Sequence, residues 1–196
     1  MNRDLEQRLA ETLDLRRRPV AVVFRPSPPA GVPKFDGTQP SGCSFWRLAM
    51  DGRTFYTVAA DHYNCPLGSD THTIALPPER APELEQTLSL MASSGYIRME
   101  EVPGIPRLPQ APGVVVYAPL GDTPVDPDVV LVVVRPGRVM LLQEAAIRAG
   151  VGAEASLLGR RPAWRSPRPS RREWSRAPAA SATVCTPTWA RTSSTW

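Results

Sequence analysis

The last 37 residues, Arg160 to Trp196, most strongly constrain what this chain can fold into. They contain eight Arg, six Ala, six Ser, five Pro, five Thr and four Trp, and they contain no Leu, Ile, Phe, Met, Tyr or Gly. That composition is typical of GC-rich DNA translated in the wrong reading frame. We therefore expect a native body over residues 1–159, followed by an out-of-frame, irregular and disordered tail over residues 160–196.

The genetic code allows this interpretation to be checked. Joining the last base of each codon to the first two bases of the next gives a peptide constrained by the printed sequence. Residues 182–190 then permit N-R-V-Y-T-D-L-G, residues 178–182 permit C-G-I-G, and residues 162–164 permit C-V-A. These strings look like the end of a real domain, which favours a shift of frame near residue 160.

The tail also distorts the net charge. It holds eight of the 23 basic residues but only one of the 19 acidic ones, so residues 1–159 carry a net charge of −3. Binding of nucleic acid requires a basic face on a folded element, and we therefore expect no nucleic-acid partner. No stretch reaches the roughly 20 apolar residues of a membrane span, and Met1 to Leu5 lack the apolar core of a signal peptide. A cytoplasmic protein without a membrane partner is expected.

Apolar periodicity predicts a single domain, since about 160 residues suffice for one core. Helices are predicted over residues 4–17, 44–50, 82–95 and 138–149, and strands over residues 20–24, 54–58, 114–117 and 129–134. The last two strands are nearly continuous apolar runs, which favours the middle of a sheet with both faces covered. The alternation predicts an α/β or α+β layered domain with a mixed central sheet flanked by helices. Residues 61–68 are expected to form a polar loop.

Two cysteines of the body, Cys43 and Cys65, are candidate metal ligands. In a reducing compartment they are more consistent with free thiols, metal ligands or catalytic groups than with a disulfide. The loop Cys65-Pro66-Leu67-Gly68 matches the C-G-I-G string permitted in the shifted frame, so the two halves resemble a degenerate repeat. Four thiols in two matched loops would suit a tetrathiolate zinc site or an iron–sulfur cluster. Neither half has C-x-x-C spacing, so a reactive thiol and structural burial remain as alternatives.

His62 and His72 flank Cys65 in the sequence. His62 lies three residues before the cysteine, close enough for a base or a ligand, although histidines in loops are commonly only solvated. Pro66 suits the first position of a helix, whose N-terminal dipole would lower the pKa of the preceding thiol.

Two aromatic residues complete the candidate site. Trp46 is the one tryptophan of the body, and core packing is its default role. Tyr117 ends a predicted strand, where α/β folds place ligand crevices, and packing at the strand end is the alternative role.

The order of short motifs resembles the prokaryotic domain of unknown function 169 family, also labelled ArCR. The motifs are Arg18-Pro19-Val20-Ala21-Val22, Cys43-x-x-Trp46-x-x-Ala49, Phe55-Tyr56, His62-x-x-Cys65-x-x-Gly68, Tyr117-Ala118-Pro119-Leu120, Pro127-Asp128-Val129-Val130 and Leu158-Gly159-Arg160. The resemblance implies a soluble cytoplasmic domain and lends no established activity. The family's usual end, with a cysteine after a Gly-Arg pair and a Gly-Cys-x-Gly-Asn-Arg string, is similar to the shifted-frame peptide. The resemblance therefore implies that this polypeptide lacks the second half of its site.

Three functions follow from the residues. The first is a metal or iron–sulfur binding domain in which Cys43 and Cys65 are two of four thiolate ligands. The second is a thiol-dependent enzyme or small-molecule binding module that uses Cys65 with His62 nearby. The third is a structural protein with both cysteines in its core. The sequence names no reaction and no oligomeric state.

Overall fold

The computed structural model of this chain describes residues 2–105, 107–150 and the backbone of residues 182–184. Its helices are α1 (Asn2–Leu13), α2 (Gly42–Met50), α3 (Ala59–His62), α4 (Pro66–Thr71), α5 (Pro82–Ser93) and α6 (Pro136–Arg148). Its strands are β1 (Val20–Arg25), β2 (Phe55–Thr57), β3 (Val114–Pro119), β4 (Val129–Val134) and β5 (Ala182–Val184). Short 3₁₀ helices cover Pro78–Arg80, Met99–Gly104 and Leu120–Asp122.

The strands form one sheet in the order β2-β3-β1-β4-β5, with β1 at its centre. Each ladder is antiparallel, and Val20 of β1 faces Pro119 of β3 on one side and Leu131 of β4 on the other. A single parallel bridge joins Lys34 to Tyr56 at the β2 edge. The predicted layered domain is confirmed, and the antiparallel ladders make it an α+β fold. The ladders between the described strands are all antiparallel, so the sheet does not mix parallel and antiparallel strands as expected.

Helices cover both faces of the sheet. Leu131 belongs to a core cluster with Phe45 of α2, whereas Val132 and Val134 pack in a second cluster with Val139 of α6. Successive residues of a strand point to opposite faces, so α2 and α6 lie on opposite sides of β4. The fold is therefore a helix, sheet, helix sandwich in this region.

The prediction of strands covered on both faces holds best for β3. All six of its residues are buried, and the first four residues of β1 beside it are buried as well. In β4, which lies on the other side of β1, only Leu131 and Val134 are buried, so the prediction holds less well for this strand.

The predicted polar loop over residues 61–68 is wrong, because most of these residues are helical. The backbone N–H of Val58 donates to Asp61 Oδ2 at 2.8 Å and fixes the start of α3. Pro66 begins α4, where its fixed φ suits the first helical turn. As a result His62 ends α3 and is only 1 % exposed instead of solvated.

Most of the predicted disordered tail, residues 160–181 and 185–196, lies outside the described residues, as do residues 151–159. The backbone of Ala182–Val184 forms β5 and pairs antiparallel with Val132–Val134 of β4. A strand at this place was not expected from the sequence. For the remainder, the out-of-frame and disordered tail stays a prediction.

A partly exposed ion pair holds α1 against the end of β3. Arg18 donates to both carboxylate oxygens of Glu6, at 2.6 and 3.1 Å, and the same carboxylate accepts the backbone N–H of Gly121. The hydrogen bond to Glu6 raises the pKa of Arg18 above its usual range, which keeps the guanidinium charged. The contact anchors the chain directly after the strand that carries Tyr117.

Candidate thiol site

Cys43 lies near the start of α2, whose inner face packs on the sheet. Phe45 and Ala49 are fully buried, since residues four apart share one face of a helix. The Phe45 ring stacks on Tyr117 of β3 at 5.4 Å with an interplanar angle of 25°. Cys43, two residues before Phe45, is solvent-exposed. The helix thus presents this thiol at the surface, above the aromatic core.

Cys65 lies in the junction between α3 and α4 and is half-buried. Its backbone N–H donates to the carbonyl of His62 at 2.9 Å, and its carbonyl accepts the N–H of Ser69 at 2.8 Å. Ser69 also donates its hydroxyl to the His62 carbonyl at 2.9 Å. These bonds fix the backbone on both sides of the thiol, so the position of Cys65 is set by the two short helices.

Gly68 forms the wall of the site beside Cys65. A Cβ built on Gly68 would lie 2.8 Å from the Cys65 sulfur, which is closer than two such atoms approach in proteins. The absence of a side chain at this position of α4 therefore makes room for the thiol.

Tyr117, whose ring stacks on Phe45 of α2, is fully buried. Its hydroxyl has no hydrogen-bond partner among the described residues, although a buried hydroxyl normally has one. Burial is the main cause that raises the pKa of Tyr117 well above its usual range, and the nearby Cys43 and Cys65 raise it further. The phenol is therefore neutral at all physiological pH values.

Cys65 also acts electrostatically on Cys43. Partial burial, together with the neighbouring Cys65, raises the pKa of Cys43 above its usual range. Within the part of the chain that the structure describes, Cys43 and Cys65 are free cysteines. Three groups that are distant in the sequence, Cys43, Cys65 and Tyr117, are thus close enough to share one electrostatic environment. Neither thiol belongs to the set of buried core residues, which disagrees with the structural hypothesis of two core cysteines.

His62 bonds to the core, not to a thiol. Its Nε2 lies 2.8 Å from Thr57 Oγ1, and the Thr57 hydroxyl donates its one proton to the carbonyl of Val115 at 3.2 Å. Thr57 must then accept from His62, so His62 carries its proton on Nε2. Burial, with a smaller effect of His72, lowers the pKa of His62 to about 4. At neutral pH His62 is an uncharged structural group.

His72 lies behind His62, with their ring centroids 5.2 Å apart. Its Nδ1–H donates to the carbonyl of Gly68 at 2.7 Å, which holds the turn of α4 that faces Cys65. Burial lowers the pKa of His72, and the bond to Gly68 partly opposes this. His72 therefore supports the wall of the site through Gly68.

Trp46 is half-buried and packs against the aromatic core cluster, as its default role predicts.

Thr57 is a residue of the site that the sequence analysis did not single out. Its position two residues after Phe55, on the inward face of β2, is a signal that period-two alternation offers. A polar residue at an inward strand position requires a buried partner, and here that partner is His62.

Two features are absent from the part of the chain that the structure describes. Within it, no three or more side chains of His, Cys, Asp or Glu are grouped so that they could hold a metal ion. None of the helices in that part has both the length and the apolar character that crossing a membrane requires.

A family model described as DUF169, uncharacterised ArCR, matches residues 8–159. Neither a curated protein nor a solved structure matches the chain.

Proposed function

We propose that this chain, which belongs to the DUF169 family of uncharacterised ArCR proteins, binds a thiophilic metal ion or an iron–sulfur cluster through Cys43 and Cys65. The observation that carries the proposal is that Cys43 and Cys65 are both free thiols, and that both act electrostatically on the buried, unpartnered hydroxyl of Tyr117. Thiolates are the ligands that zinc and iron–sulfur clusters prefer.

The electrostatics of the site suit a ligand more than a nucleophile. The pKa of Cys43 is raised, so without metal its thiol is mostly protonated at neutral pH. A bound cation reverses this because it favours the thiolate, and metal binding should release protons. His62, the expected base, donates to Thr57 and has a pKa of about 4, so it suits a structural role.

The described residues supply two thiols, whereas zinc and iron–sulfur sites use four ligands. We infer that two further cysteines come from the C-terminal segment when it is read in the shifted frame. The 196-residue chain would then hold a half-site with weak affinity, and a chain carrying the shifted frame from residue 160 would hold the whole site.

Both chains should be purified without oxygen and analysed for iron, zinc and acid-labile sulfide, with absorbance near 400 nm as the mark of a cluster. We expect the shifted-frame chain to retain stoichiometric metal and the 196-residue chain to bind added zinc weakly. Cys43→Ser and Cys65→Ser should each abolish binding. Cys185→Ser in the 196-residue chain is the control, because Cys185 is the cysteine outside the proposed pair. If neither chain binds zinc or iron under these conditions, the proposal is wrong.

The second candidate is a thiol-dependent enzyme or small-molecule binding module. The exposure of Cys43 favours it, because a small molecule could reach this thiol from solvent. The pH dependence of alkylation by iodoacetamide separates the two candidates. Alkylation of Cys65 at pH 7 well above the rate of a free thiol would favour the second candidate, and slow alkylation that zinc suppresses would favour the first.

A further inference from the structure

The C-terminal end of α4 adopts a backbone conformation that its sequence does not favour. The backbone N–H of Thr73 donates to the carbonyl of Asp70, and that of Ile74 donates to the carbonyl of Ser69, both at 2.9 Å. This pair of bonds ends a helix with one left-handed residue, a position that glycine normally occupies. Here the residue is Thr73, with a φ of 58°. A β-branched residue is disfavoured in that region, so a further contact must hold Thr73 there.

The further contact comes from Arg107 and Leu108, which lie across this end of α4 and which we call the strap. The hydroxyl of Thr73 donates to the carbonyl of Leu108, and the backbone N–H of Leu108 donates to the carbonyl of Thr71 at 2.9 Å. Arg107 donates to the carboxylate of Asp70 at 2.8 Å, and only 19 % of the Asp70 side chain is exposed. Three contacts thus tie the strap to the end of α4.

The first turn of α4 lies against the Cys65 thiol. The Cys65 sulfur is 2.8 Å from the place that a Cβ on Gly68 would take, and the Cys65 carbonyl accepts the N–H of Ser69 at 2.8 Å. His72 donates to the carbonyl of Gly68 at 2.7 Å and so joins the two ends of the helix. With six residues, α4 is too short to be stable alone, so its outside contacts decide whether it stays folded. Loosening the strap at one end therefore loosens the wall beside the thiol at the other.

We propose that the strap holds α4 closed against the Cys65 thiol, and that release of the strap gives small molecules access to this thiol. Two effects at Thr73 oppose each other. The strained φ favours opening, because an uncoiled Thr73 returns to an ordinary conformation, whereas the hydroxyl bond to Leu108 favours the closed form. Proteins open locally in units of this size. The inference rests on the proposed use of Cys65 as a functional thiol, and it requires no bound metal.

Alkylation by iodoacetamide, followed separately for Cys65 and Cys43 by peptide mass spectrometry, measures the opening. Cys43 is solvent-exposed and is the reference within the same chain. Thr73→Val removes the hydroxyl and keeps the β-branched shape, whereas Thr73→Ser keeps the hydroxyl and removes the branch. We expect Thr73→Val to speed alkylation of Cys65 by about tenfold, and Thr73→Ser to leave it unchanged or slower. Cys43 should react at its wild-type rate in both variants.

A second pair of variants tests the ion pair of the strap. Arg107→Ala should speed alkylation of Cys65 by a smaller factor, about threefold, because a partly exposed ion pair contributes little. Arg17→Ala is the control, since it removes an ion pair of the same 2.8 Å length with Asp51, at the end of α2. It should leave alkylation of Cys65 unchanged.

The wild-type protein provides a measurement that does not depend on whether Thr73→Val folds. The backbone N–H groups of Ser69, His72 and Ile74 form the bonds that close α4. Their hydrogen exchange and the alkylation of Cys65 should share the same weak dependence on urea, because a local opening exposes little surface. Alkylation of Cys65 should also be slower than that of a free thiol.

Three results would overturn the inference: equal rates for Cys65 in Thr73→Val and Thr73→Ser, alkylation of wild-type Cys65 as fast as a free thiol, or alkylation that follows global unfolding in urea. Failure of the proposed metal site looks different. If Cys43→Ser and Cys65→Ser abolish zinc binding while Thr73→Val leaves alkylation unchanged, only the strap inference is wrong. If alkylation responds to Thr73→Val and no metal binds, only the metal site is wrong.

Discussion

The Cys65 sulfur occupies the space that a side chain at position 68 would need. A Cβ on Gly68 would lie 2.8 Å from Cys65 Sγ and 3.3 Å from Cys65 Cβ. The backbone does not require glycine there, since Gly68 is not among the residues with positive φ. The need to leave space for the Cys65 thiol therefore explains why residue 68 is glycine, whereas the backbone conformation of α4 does not.

Gly68→Ala should therefore displace the Cys65 thiol while leaving α4 intact. Alanine is favoured over glycine in helices by up to about 1 kcal/mol, so no large loss of stability is expected. Zinc affinity should fall by about tenfold, or about 1.4 kcal/mol, as measured by competition with a chelating dye. Gly137→Ala in α6 is the control, because nothing lies within 4 Å of its added Cβ. Unchanged zinc affinity in Gly68→Ala would show that the sulfur moves aside without cost.

The closeness of Cys43 and Cys65 can be tested without any metal. Phenylarsine oxide bonds through its arsenic to two thiols at once and releases water, so a stable adduct requires two neighbouring sulfurs. We expect one adduct per chain by native mass spectrometry. Cys43→Ser and Cys65→Ser should each abolish it, and Cys185→Ser should retain it. A stable adduct in Cys43→Ser would contradict the pairing of these two thiols.

The positions of helices and strands were predictable where the pattern is local. The apolar runs over residues 20–24 and 114–117 predicted β1 and β3, and the spacing in residues 82–95 predicted α5. The order of strands in the sheet was not predictable, because antiparallel neighbours such as β1 and β3 are far apart in the chain. The short helices α3 and α4 were missed because four to six residues give too little periodicity to detect.

The site itself was predictable only in part. Cys43, Cys65 and Gly68 were singled out by residue type and by the repeated loop, and the structure brings them together. His62 stood beside Cys65 in sequence, but α3 turns its side chain toward Thr57 in the core. The lone hydroxyl of Tyr117 had no sequence signal, because a missing partner is a property of three-dimensional packing.

Thr57→Val should destabilise the protein, although the two side chains have nearly the same shape. The variant removes the acceptor for His62 Nε2–H and leaves that donor buried without a partner. We expect a loss of about 1–3 kcal/mol in the free energy of unfolding, measured in urea at pH 7. Thr57→Ser keeps the hydroxyl and should lose clearly less. Equal losses in the two variants would mean that packing of the methyl group, and not the hydrogen bond, matters here.

The buried His62 should make the protein less stable in mild acid. Its pKa is lowered from 6.5 to about 4 in the folded protein, so between these values the unfolded chain binds the proton more tightly. The stabilisation is therefore complete above pH 6.5, declines as the pH falls, and is lost by about pH 4. From pH 7 to pH 5, His62 alone should lower the free energy of unfolding by about 2 kcal/mol.

The lowered pKa of His72 acts in the same direction, so the wild-type profile contains both histidines. His62→Gln keeps a donor for Thr57 but cannot be protonated, and it should remove most of the slope between pH 7 and pH 5. Urea unfolding at pH 7, 6 and 5 measures the slope above the range where most carboxylates titrate. If the variant loses stability as steeply as the wild type, His62 is already protonated in the folded protein and the hydrogen-bond chain through Thr57 must be reassigned.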